Sequence, residues 1–182
     1  MSAYSVYLSL PPYLAQWYAY ECRAHEFAEE DICPNSPYKE LDPVSPIRGS
    51  QESRIMEQFL RKQPSPVPEP IPEDANLAIA IPYFRDRDPR TYNYLPKHAK
   101  CMLAYTIAER FKRELWDELH PFLSYVRKKE RIDELIYCFM ENHAIEITDT
   151  NWNAISKIYS RCRDVYKSTK SRKKRSDLRS KK

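Results

Sequence analysis

A single glycine, Gly49, among 182 residues constrains this chain more than any other feature. Backbone at positive φ is cheap only for glycine. Phosphate-cradling loops, the G-x-S-x-G elbow, dinucleotide fingerprints and hairpin-rich β architectures are therefore closed to it in their usual forms. The chain must turn its corners with its 15 prolines and with asparagine and aspartate. Hydrophobic residues make up 42%, which suits one domain with appendages or two very small domains sharing a core.

The periodicity of apolar residues sets out the elements. Val6, Leu8 and Leu10 alternate with Ser5, Tyr7 and Ser9, which predicts a half-buried strand ended by Pro11-Pro12. Leu14, Trp17, Tyr18 and Cys22 recur at helical spacing, and Glu26–Pro46 reads as an irregular connection. A second short helix starts at a Ser50 cap, with Ile55, Met56, Phe59 and Leu60 as its stripe. Prolines 64, 66, 68, 70 and 72 make a stiff spacer. Beyond it Leu77, Ile79 and Ile81 alternate with alanines, which predicts a strand covered on both faces. From Pro96 the pattern is helical. Met102, Tyr105, Phe111, Leu115 and Leu119 mark one helix, which Pro121 ends. Ile132, Leu135, Ile136, Phe139 and Met140 mark the next, and Trp152, Ile155, Ile158, Tyr159 and Cys162 the last.

These elements predict an α+β fold, mostly α. It has one or two N-terminal strands with short helices, and a C-terminal three-helix subdomain containing a helix-turn-helix-like pair. The expected division is a strand-helix-helix region over 1–63, a proline-rich linker over 64–75, a strand plus helical subdomain over 76–166, and a disordered basic tail over 167–182.

Charge points to a polyanionic partner. Residues 167–182 hold nine Lys/Arg against one Asp, so they carry +8 of a chain total of +4 and leave the body at −4. Such a tail neutralises phosphates and releases counterions, although the same composition also makes a solubilising appendage. The preceding helix follows its neighbour after a short link, His143–Ile147, and sets Asn151, Asn153, Lys157, Ser160, Arg161 and Arg163 off its apolar stripe. Asn reads adenine, and Arg reads guanine or holds phosphate. Thr148 and Thr150 read as helix-start residues. The expected nucleic-acid contacts are Asn153, Lys157, Arg161, Arg163, Lys167, Lys170, Arg172, Lys173, Lys174 and Arg175, with DNA favoured over RNA. A protein-interaction or structural module with an incidental basic tail is the competing reading. Between Tyr83 and Lys100, basic residues interleave with Tyr92 and Tyr94 as on base-stacking surfaces, but Asp86 and Asp88 favour a structured loop in which they pair with Arg85 and Arg87.

The strand Ser5–Pro11 followed by helices over Tyr13–Arg23 and Ser50–Lys62 resembles the ribbon-helix-helix family, with Glu26–Arg48 in place of that family's short inter-helix turn. The resemblance implies a homodimer whose paired strands enter the major groove. Ser5, Tyr7 and Ser9 would face DNA, and Val6, Leu8 and Leu10 the dimer core. The segments Ile81–Phe84, Asp88–Leu95 and Glu146–Asn153 resemble proteins carried by bacterial prophages and mobile elements, which implies a bacterial, accessory, intracellular setting.

Catalysis and cofactors are not expected. Cys22, His25 and Cys33 lack the paired spacing of a zinc site, and Asp86-x-Asp88 is a lone acidic pair in an Arg-rich turn. Glu29–Asp31 reads as a solvated acidic patch. His98, His120 and His143 each stand apart from a second ligand at metal-binding spacing, so they read as satisfied or exposed side chains. No metal and no cofactor are expected. No apolar run reaches the roughly 20 residues that span a bilayer, so no membrane partner is expected. Cys101 and Cys138 lie in apolar helical stretches, and the five cysteines read as reduced, mostly buried thiols of a cytoplasmic protein.

Overall fold

The computed structural model describes residues 4–26, 42–64, 71–124 and 129–179, with the side chains of 25–26, 123–124, 129–131 and 171–179 outside that description. Strand β1 (Ser5–Leu8) leads into helix α1 (Pro12–Glu26), followed by α2 (Gln51–Phe59) and β2 (Arg61–Lys62). Strands β3 (Leu77–Ala80) and β4 (Tyr92–Tyr94) precede the helices α3 (Lys97–Leu119), α4 (Lys129–Asn142) and α5 (Asp149–Arg179). The fold is α+β and mostly α, as expected.

Proline and serine start the helices. Pro12 occupies the first position of α1, where its missing N–H costs nothing, and the Pro11 carbonyl accepts from Leu14 and Ala15. Ser50 caps α2, its hydroxyl accepting from the Ser53 N–H at 3.2 Å. Gly49 stands just before that cap at φ +79°, so the only glycine is used where a left-handed residue is needed.

β1 pairs antiparallel with β3, Ser5 opposite Ala80 through Leu8 opposite Leu77. Val44 bridges the other edge of β3, accepting from Ala80 and donating to the Ala78 carbonyl, both at 2.9 Å. With a neighbour on each edge, β3 is buried along its length, as its alanine-filled alternation predicts. Asn76 extends the pairing: its side chain accepts from the Leu10 N–H at 2.9 Å and donates to the Leu10 carbonyl. Val6, Leu8 and Leu10 are buried in the chain's own core, while Ser5 and Tyr7 are half-buried and Ser9 is exposed.

One core runs from Val6 to Tyr159 and draws on both sides of the proline-rich spacer. The regions 1–63 and 76–166 are therefore joined in a single packed body; residues 65–70 of the spacer lie outside the described residues. Phe111 of α3 is its hub. Its ring meets Trp17 edge-on at 5.3 Å, Phe139 edge-on at 5.8 Å and Tyr13 at 5.2 Å, tying α3 to α1 and α4.

The expected face of α3 needs correction. Its buried spine is Ala99, Leu103, Ile107, Phe111, Leu115 and Leu119, whereas Met102 and Tyr105 are exposed. Met102 lies nine residues before Phe111, roughly half a turn off the spine at 3.6 residues per turn. The tail is also corrected: α5 continues without a break to Arg179. Residues 167–179 contain neither proline nor glycine, and their straight-chain Lys and Arg favour helix.

The turn after α4 is a Schellman motif. Ile145 N–H donates to the Met140 carbonyl at 2.8 Å and Ala144 N–H to the Glu141 carbonyl at 3.2 Å. Its left-handed position, normally glycine, is taken by Ala144 at φ 51°. This turn seats His143 facing α1 and α3.

Candidate functional site

Two regions bring functional side chains together. The first is the surface of α5. Thr148 caps the helix, accepting from the Asn151 N–H at 3.2 Å, as its position predicts. Asn151 itself points inward, contrary to its expected place off the stripe. It is buried, and its amide donates to the Glu146 carbonyl at 2.9 Å and toward Gln16 of α1. Asn153, Lys157 and Arg161 form an exposed stripe at four-residue spacing. Arg163 is half-buried beside Tyr159. Lys167 and Lys170 are exposed, Lys170 lying 5.9 Å from the Tyr166 ring centroid. Arg172, Lys173, Lys174 and Arg175 continue the helix, but their side chains lie outside the described residues. None of Lys157, Arg161, Arg163, Lys167 or Lys170 forms an ion pair with a described residue.

A groove of about 680 Å³ runs between α3 and this part of α5. Lys112, Arg113 and Trp116 form one wall, and Ile158, Arg161, Val165 and Tyr166 the other. Trp116 stacks on His120 with centroids 4.4 Å apart, and Tyr166 stands against both rings at 5.5 and 4.5 Å. Aromatic rings stand here beside Lys and Arg, and Glu109, paired with Lys112 at 3.5 Å, lines the same groove.

In the Tyr83–Lys100 segment Arg87 and Asp88 serve structure, while Tyr83, Arg85, Arg90 and Lys97 are exposed. Arg87 donates to the Leu60 carbonyl at 3.1 Å and to that of Glu57, meeting the negative end of α2 rather than Asp86 or Asp88. The Asp88 carboxylate accepts from the Arg90 N–H at 2.9 Å and fixes the turn.

The second region lies where α1, α3 and the end of α4 meet. His143 is 8% exposed. Its Nδ1 lies 3.1 Å from Glu21 Oε1 and 3.9 Å from Glu114 Oε1, and its Nε2 lies 2.9 Å from Glu118 Oε1. Glu21 also meets Arg110 at 3.4 Å, and the Arg110 guanidinium sits 5.4 Å from the Trp17 ring centroid. Burial alone would lower the His143 pKa. Hydrogen bonding to Glu21 and the field and hydrogen bond of Glu118 outweigh it and raise the pKa. Glu114 is raised by burial and by repulsion from Glu21, against the pull of His143 and Arg110. The wholly buried Trp17 indole N–H has no hydrogen-bond partner among the described residues, and it faces the Glu114 carboxyl closely enough to oppose that rise.

No spacing in the sequence marks this cluster as a unit. Glu114 and Glu118 are one turn apart, which was visible, but Glu21 and His143 arrive from distant segments. The thiols offer nothing comparable. Cys22 is buried and its thiol is pushed up to about 12 by that burial, which keeps it protonated. Cys101 and Cys138 are exposed, correcting the expectation of mostly buried cysteines; Cys33 lies outside the described residues.

No family model, curated protein or solved structure matches this chain. Among the described residues no helix is long and apolar enough to cross a membrane.

Proposed function

We propose that this protein is a non-enzymatic DNA-binding protein, a regulatory or accessory factor, that grips phosphate through α5. One observation carries the reading. The helix is anchored in the core by Asn151, Ile155 and Tyr159, and carries Lys157, Arg161, Lys167 and Lys170 exposed and without an acidic partner among the described residues. At 1.5 Å per residue, the 31 residues of α5 span about 46 Å, long enough to lay positive charge along many phosphates. The sequence beyond Lys170 adds seven more Lys/Arg. Asn153 on the exposed stripe supplies the group suited to a base edge.

Fluorescence anisotropy with labelled duplex and single-stranded DNA tests this at several salt concentrations, comparing the full chain with one ending at Tyr166. Each phosphate contact adds about 0.9 to the salt slope of the logarithm of the binding constant on duplex DNA. Loss of the nine basic residues beyond Tyr166 should flatten that slope by about 2 or more. Absence of binding at low salt in both chains, or a salt-independent affinity, refutes the proposal and favours a protein-interaction module. Tighter binding to single strands would move the contact to the Trp116–Tyr166 groove.

A further inference from the structure

We infer that Nδ1 of His143 and the carboxylates of Glu21 and Glu114 form a binding site for a divalent transition-metal ion, with Glu118 holding the imidazole in the ligating orientation. The site lies at the junction of α1, α3 and α4, apart from the exposed face of α5, and does not depend on the nucleic-acid reading.

Four observations meet here. First, the three donor atoms all lie within 4.8 Å of one another. An ion bound at about 2.0–2.2 Å to each needs donors about 3.0–3.5 Å apart; Nδ1 and Glu21 at 3.1 Å already meet this, and Glu114, 3.9 Å from Nδ1, would have to swing inward. Second, a metal-bound histidine characteristically donates its other ring N–H to a carboxylate. Glu118 at 2.9 Å from Nε2 is placed to accept it, and an ion would displace the proton that Nδ1 directs at Glu21, opening that nitrogen beside Glu21 and Glu114. Third, Glu21 is held on its far oxygen by Arg110, itself laid over Trp17, while the unpartnered and wholly buried Trp17 N–H faces Glu114. Glu21 is thus held before any ion arrives, and the Trp17 N–H leaves an unsatisfied buried donor beside the site. Fourth, the charges match. Three glutamates and Arg110 leave −2 around a neutral imidazole, which a divalent cation cancels.

The donor set names the class of ion. One imidazole nitrogen with carboxylate oxygens and no thiolate suits Zn²⁺, Mn²⁺, Fe²⁺ or Co²⁺ rather than the all-oxygen preference of Ca²⁺. A cleft of about 600 Å³ lined by Glu114 and Glu118 on one side and Gly49 and Ser50 on the other provides a route in from solvent. Bound there, an ion would clamp three helices.

The test is a Co²⁺ titration of chelator-stripped, full-length protein followed by visible absorption. The expected result is a saturable d–d spectrum at one ion per chain, displaced by Zn²⁺, without a thiolate charge-transfer band and with a raised melting temperature. His143→Gln should abolish it, and Glu114→Gln should weaken binding by at least about tenfold. Glu118→Gln keeps every ligand and alters a partly exposed residue, so it guards against variants that fail to fold; it should weaken binding by about 10–100-fold. No saturable spectrum, a thiolate band, or an affinity unchanged in both Glu114→Gln and Glu118→Gln would overturn the assignment.

Discussion

Phe111→Leu probes the claim that segments on both sides of the proline-rich spacer share one core. Leucine preserves a buried aliphatic group but removes the ring contacts with Tyr13, Trp17 and Phe139. At about 0.5–1.5 kcal/mol for each aromatic pair, the loss is about 1.5–4.5 kcal/mol. For a chain of this length each kcal/mol lowers Tm by about 2–4 °C, so a mid-range loss of about 3 kcal/mol corresponds to about 6–12 °C. Urea and thermal melts, followed in parallel by tryptophan fluorescence and far-ultraviolet circular dichroism, should show one transition that shifts as a unit. A loss below about 1 kcal/mol would mean the ring cluster contributes little beyond area. Two resolved transitions, of which only one responds, would mean that α1 and the C-terminal helices are not one cooperative body.

Three further substitutions test individual features. Ala144→Gly relieves a left-handed alanine and should stabilise the protein by about 1 kcal/mol in urea melts, whereas an unchanged midpoint would show that this turn carries no strain. Asn76→Ala leaves the Leu10 N–H and carbonyl without their partner and should cost about 1–3 kcal/mol, read as a lowered denaturation midpoint. Arg87→Ala uncovers the carbonyls at the end of α2 and should cost about 1–2 kcal/mol; an effect within error would show that water replaces the guanidinium freely.

Local pattern made much of the fold legible. Alternation found β1 and the doubly covered β3, and Ser50 and Thr148 marked helix starts that their hydroxyls do cap. On α4 the stripe held, with Ile132, Ile136, Phe139 and Met140 buried and Leu135 half-buried; on α5 only Ile155 and Tyr159 are buried, while Trp152, Ile158 and Cys162 are half-buried. On α3 that signal was divided. Tyr105 and Met102 carry large apolar surfaces beside Ile107 and Leu103, so size and apolar content did not separate the covered side from the open one. Asn151 was misplaced for a related reason: a polar residue next to a stripe looks solvent-facing until the Glu146 carbonyl and Gln16 are known to meet it. The His143 cluster is the extreme case. Its members come from α1, α3 and the turn after α4, and Arg87 likewise finds a helix end instead of its neighbouring aspartates. Side chains that act through long-range meetings leave no periodic trace.

The pairing of β1 with β3 bears on how the molecule comes into being. Ser5 must wait for Ala80, and Trp17 for Phe111 and its neighbours, before either has its native surroundings. During synthesis at roughly 5–20 residues per second, the first strand therefore spends several seconds with an unsatisfied edge and Val6 and Leu8 uncovered. Closing so large a loop also slows the search once the whole chain is free. The amino-terminal strand is the segment most in need of protection while the ribosome is still at work, and its fate is decided by residues made long after it.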